Sequence, residues 1–112
     1  VAEAAASVAC RLDAFDEGTR AEHRRLAGEL VGAMTDVEEL ADGYAVRFPA
    51  RPFLFLRIAR WIELERACCP FLTIRLEIER STPAYRVSLT GPDGAKSVFR
   101  AELLRTPAAE AK

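Results

Sequence analysis

No stretch of the 112-residue chain reaches 18 consecutive apolar residues, which excludes a membrane-spanning helix. The start lacks a basic stretch leading into an apolar one, so no secretory signal is read there. Neither sign of charge dominates. The 16 basic and 17 acidic side chains leave a net charge of -1, which gives no sign of a nucleic-acid or membrane surface. Arg20, Arg24 and Arg25 alternate with Glu17, Glu22 and Glu29, the pattern of a solvated helix face. Cysteine is scarce, and its count of three is odd. Without a secretory signal this argues against a disulfide framework and for reduced thiols in a cytoplasmic setting. Histidine occurs once, as His23. A Ser-His-Asp arrangement, a phosphate-binding loop and a C-x-x-C pair are all missing, so no catalytic residue and no organic cofactor is indicated.

What is present suits one globular domain, with half the residues apolar and 29% charged. Residues 1–7, rich in alanine and without periodicity, are expected to be disordered or a linker. Residues 8–106 make a single α+β domain, and 107–112 a frayed tail. Val8, Cys10 and Leu12 alternate with Ala9, Arg11 and Asp13 and predict a short first strand over 8–13. Asp16 is a suitable N-cap, and His23, Leu26, Leu30 and Met34 recur at helical spacing. Asp42-Gly43 predicts a tight turn between strands at 37–40 and 44–48. A second helix is expected from Pro52 to Cys68, because Pro70 disfavours helical geometry at Cys69. Strands over 72–79 and 85–90 and a helix near 98–104 follow. The first six elements have the βαββαβ order of a ferredoxin-like sandwich, with one strand and one helix added at the C-terminus. That topology places the first and fourth strands side by side at the sheet centre, and Cys10 near Cys68 and Cys69.

At about 100° per residue, Glu65 falls in the middle of the second helix's apolar face, with Cys68 and Cys69 three and four positions on. A buried carboxylate there must be neutral, paired or bound to something positive. An arginine such as Arg20, Arg24 or Arg66 is one candidate partner; a metal ion or a proton is the other. Thiolates favour soft or borderline cations, so Cys68, Cys69 and Cys10, with Glu65 as auxiliary ligand or proton acceptor, suit Hg(II), As(III), Cu(I) or Zn(II). A bond between the adjacent cysteines would be strained, so they are expected to stay reduced or to bridge something else. His23, on the apolar stripe of the first helix, is a core histidine or a peripheral member of this site. A thiol redox enzyme or sensor with Cys10 as resolving partner, and a structural or interaction domain with buried cysteines, are the competing readings.

Glu65-Arg66-Ala67-Cys68-Cys69-Pro70-Phe71, an early Cys10 and the late Thr90-Gly91-Pro92-Asp93-Gly94-Ala95-Lys96 carry one resemblance. Over roughly 8–105 the chain resembles a group of small, mostly uncharacterised bacterial proteins that share an E-x-x-C-C-P-F segment and an N-terminal cysteine. The resemblance implies that Cys10, Glu65, Cys68 and Cys69 occupy the group's recurring positions, consistent with a thiophilic-metal or redox site.

Overall fold

The computed structural model describes residues 11–104. The expected linker over 1–7, Cys10 and the expected tail over 107–112 lie outside the described residues. A short 3-10 turn, Leu12–Ala14, leads into α1, Glu17–Ala33. Asp16 caps α1 as its side chain accepts from Thr19 N–H at 2.7 Å. His23, Leu26 and Leu30, at the spacings of one helical face, are the buried residues of α1.

Strands β1, Asp36–Leu40, and β2, Gly43–Pro49, form an antiparallel hairpin in which Leu40 pairs with Gly43. The connecting residues are therefore Ala41 and Asp42, one position earlier than the Asp42-Gly43 turn expected. Gly43 has another constraint: a Cβ there would lie 1.8 Å from the carbonyl oxygen of Leu89. Only glycine lets the neighbouring strand approach so closely.

Helix α2, Leu54–Cys68, starts two residues after Pro52 and ends where Pro70 requires. Its N-cap, Phe53, has a left-handed backbone with φ 68°, which is strained for a residue with a Cβ. Strands β3, Thr73–Ile78, and β4, Ala84–Thr90, make a second antiparallel hairpin. Gly94, at φ 96°, turns the chain into α3, Ala95–Leu104.

The sheet is wholly antiparallel, in the order β1-β2-β4-β3. This shows the α+β class, while the expected ferredoxin-like arrangement is not confirmed among the described residues. Residues 12–14 form a 3-10 turn, and residues 8–10 of the expected first strand lie outside the described residues. The central place given to that strand is filled by β4, the strand expected as an addition. Seven residue pairs, Gly43↔Thr90 to Pro49↔Ala84, join it to β2.

Tyr44, Val46 and Phe48 pair with Leu89, Val87 and Tyr85, so these six side chains share one face of the sheet. The helices cover that face. Leu30 of α1, its C-cap Met34 and Trp61 of α2 surround Val46 and Phe48, Phe99 of α3 meets Tyr44, and Phe55 of α2 meets Tyr85. Burying Phe48, Ile58 and Val87, all at 2% exposure or less, contributes about 1.5–3 kcal/mol each. The other face is polar. Arg47 and Arg86 stand directly opposite one another there; Arg47 bonds Asp36 and Glu79, and Arg86 bonds Glu77 and Glu38. Like charges in facing positions repel, and these carboxylates offset that repulsion.

Candidate metal centre

The packing of α1 on α2 sets the distance between the groups of interest. Arg60 of α2 makes a two-pronged ion pair with Glu22 of α1, both contacts at 2.9 Å. Hydrogen bonding to Arg60 holds the Glu22 carboxyl below its ordinary value of 4.5. The clamp sits one residue before His23, which turns inward where Glu22 turns outward. His23 meets Glu65, and a 2.8 Å hydrogen bond links His23 Nε2 to Glu65 Oε2 across 42 residues of sequence.

Glu65 lies in the last turn of α2, Cys68 is the helix's final residue and Cys69 its C-cap. Glu65 is 2% exposed, Cys68 0% and Cys69 1%, and His23 is buried beside them. Glu65 Oε1, on the side away from the histidine, lies 3.4 Å from Cys69 Sγ. The two cysteine sulfurs are 3.3 Å apart, too far to be bonded to one another, as ring strain in a vicinal disulfide requires. Cys69 is nevertheless disulfide-bonded: of the two outcomes expected for the adjacent cysteines, staying reduced or bridging something else, Cys69 takes the second, and the reading of all the cysteines as reduced thiols is corrected.

The backbone around the pair is fully engaged. Cys69 N–H donates to Glu65 O at 2.7 Å, Leu72 N–H donates to Cys69 O at 3.1 Å, and Arg11 N–H donates to Cys68 O at 2.6 Å. The last of these ties the segment entering the domain to the end of α2, and the donor nitrogen belongs to the peptide bond that joins Arg11 to Cys10 in the sequence. Phe15, in the turn before α1, closes the site on the other side, with its ring 5.6 Å from that of His23. Among the described residues every buried side-chain nitrogen or oxygen has a hydrogen-bond partner.

His23, Glu65 and Cys68 each offer one potential ligand atom, and these three atoms lie within 4.8 Å of one another. Tetrahedral coordination, with bonds of about 2.0–2.3 Å, places ligand atoms about 3.5 Å apart, so modest side-chain rotation is enough to close the set around an ion. Of the residues expected in the site, Glu65, Cys68 and Cys69 are brought together, and Cys10 lies outside the described residues. The buried partner of Glu65 is His23; none of Arg20, Arg24 and Arg66 takes that place. What marked His23 in the sequence was its position on the apolar stripe of α1, which fits a core histidine equally well. No family model, curated protein or solved structure matches the chain.

Proposed function

We propose that the reduced protein binds a borderline or soft metal ion at His23, Glu65 and Cys68, with Cys69 as a further thiolate ligand. The carrying observation is the convergence of one imidazole, one carboxylate and one thiol within 4.8 Å at a fully buried point. A thiolate and an imidazole favour Zn(II) or Cu(I) over Mg(II) or Ca(II), and each added thiolate moves the preference toward Cu(I), Hg(II) or As(III). Glu65 is the acceptor for protons that the thiols release on binding, or an oxygen ligand in its own right. Cys10 joins as a third sulfur in this reading, because Arg11, next to it in sequence, is tethered to Cys68.

The test is titration of the fully reduced protein with Zn(II), Cu(I), Hg(II) and arsenite, following ultraviolet ligand-to-metal absorption and proton release. Tight one-to-one binding that is lost in Cys68→Ser and weakened in His23→Gln supports the reading. No binding by any ion at neutral pH overturns it.

The disulfide at Cys69 favours a second reading, a thiol redox centre with Cys10 as the partner. A peroxide would oxidise one thiolate to a sulfenic acid, and the other thiol would displace water to form the disulfide. Counting thiols before and after peroxide treatment separates the two: loss of two thiols per chain in wild type, and no intramolecular disulfide in Cys69→Ser, supports redox chemistry.

A further inference from the structure

Strand β3 is an edge of the sheet, with β4 on one side of it and no strand of the described residues on the other. Glu79 N–H donates to Ala84 O, and hydrogen-bonded pairs alternate along an antiparallel ladder. Counting back by twos, Thr73, Arg75 and Glu77 point their backbone groups at β4. Ile74, Leu76 and Ile78 therefore point theirs outward, away from the sheet. An open edge of this kind is a template for another strand.

The side chains along the edge add two observations. Ile74, Leu76 and Ile78 lie on the helix-covered face, but the cover is incomplete here: Ile78 is 69% exposed, and Ile62, Arg66, Pro70, Leu72 and Ile74 line an open groove between α2 and the strand. On the polar face Arg75 makes no ion pair among the described residues, while Glu77 gives one carboxylate oxygen to Arg86 and keeps the other. The strand thus reads apolar, Arg, apolar, Glu, apolar, and this pattern is complementary to its own reverse.

We infer that β3 pairs antiparallel with β3 of a second copy of the chain, forming one continuous sheet with a two-fold axis at Leu76. In that register Leu76 faces Leu76 of the second copy and Ile74 faces Ile78, with the outward backbone groups of these residues exchanging hydrogen bonds. Arg75 faces Glu77 of the second copy, and Glu77 faces its Arg75. Over residues 74–78 each cross-seam pair is apolar with apolar or opposite in charge, the pairing that stabilises adjacent strands. A shift by one residue would bring the apolar side chains of one copy onto the same face as the charged side chains of the other, so the register is well specified. Ile74, at the mouth of each groove, then packs against Ile78 of the other copy, and the exposed Ile78 is covered.

The experiment uses the charge pattern against itself. Wild type is expected to sediment as a dimer at micromolar concentration in analytical ultracentrifugation. Arg75→Glu sets Glu against Glu twice across the seam, and Glu77→Arg sets Arg against Arg twice. Each variant alone is expected to associate roughly tenfold to a hundredfold more weakly than wild type. An equimolar mixture of the two restores opposite charges at every position and is expected to recover the dimer. Far-ultraviolet circular dichroism of each variant reports that it is folded, and the mixture provides the positive control within the same pair of proteins. A wild type that stays monomeric, a dimer indifferent to both substitutions, or a mixture that remains dissociated overturns the inference. So does slow amide exchange at Ile74, Leu76 and Ile78 in a monomer, which would mean that another part of the same chain covers the edge.

Discussion

The contact between His23 and Glu65 allows a quantitative test of why two polar side chains occupy the core. Consider His23→Leu, Glu65→Met and the double substitution, measured by urea unfolding under reducing conditions. Glu65 is 2% exposed and its Oε2 is 2.8 Å from His23 Nε2, so replacing His23 alone strands a carboxyl group in the core. If the pair is a neutral hydrogen bond, leaving one partner unsatisfied costs about 1–3 kcal/mol; if it is an ion pair, about 3–5 kcal/mol. The double substitution removes both polar groups and fills their volume with apolar atoms, which in comparable sites is nearly neutral or stabilising. Each single variant is therefore expected to be less stable than the double one, with a coupling free energy of about 2 kcal/mol or more. The size of the single-variant loss reads out which protonation state the pair adopts. Simple additivity, with the double variant losing the sum of the two single losses, would refute the reasoning, because it would mean that the two groups do not satisfy each other. A double variant as stable as wild type that no longer binds metal would place the reason for the pair in function rather than folding.

Gly43→Ala brings a Cβ to 1.8 Å from Leu89 O, so the central β2–β4 pairing must spread. A loss of about 3 kcal/mol or more is expected by urea titration, in the range of severe overpacking. Phe53→Gly should stabilise the protein by about 1 kcal/mol, seen as a higher melting temperature, because the side chain is 73% exposed and its backbone is left-handed at φ 68°. Asp16 is held below its ordinary value of 3.8, chiefly by the Thr19 N–H that it accepts. A depressed carboxylate stabilises the fold fully above the ordinary value and loses that contribution as pH falls through the lower folded value. Acid unfolding of Asp16→Asn should therefore be less steep below about pH 4 than that of wild type.

The parts of the fold legible in the sequence were those with local causes. Alternation over 44–48 and 85–90 set the strands and the inward residues, Asp16 set the start of α1, and Pro70 set the end of α2. Long-range choices were less legible. Val8, Cys10 and Leu12 alternate like a strand, but three apolar positions of period two are also compatible with a turn, and residues 12–14 form one. Nothing local says whether 8–13 or 84–90 takes the sheet's centre; the close approach permitted by Gly43 is specific to β4 and can be seen only once the two strands are paired. The site divides in the same way. Glu65, Cys68 and Cys69 share one helical turn, so their convergence follows from spacing alone. His23 reaches them only through the angle at which α1 crosses α2, which a single helical stripe does not specify.

The bond from Arg11 N–H to Cys68 O has a thermodynamic meaning for any guest at the thiols. With the carbonyls of Glu65, Cys68 and Cys69 already accepting from the chain, the backbone of this corner has little conformational freedom left to lose. Binding would order a few side-chain torsions and little else, so the entropic penalty is small and most of the interaction energy appears as affinity. If the reduced protein binds metal as proposed, a site with so little play would rank ions by bond length and preferred angle, and ions of similar softness but different radius would differ widely in residence time.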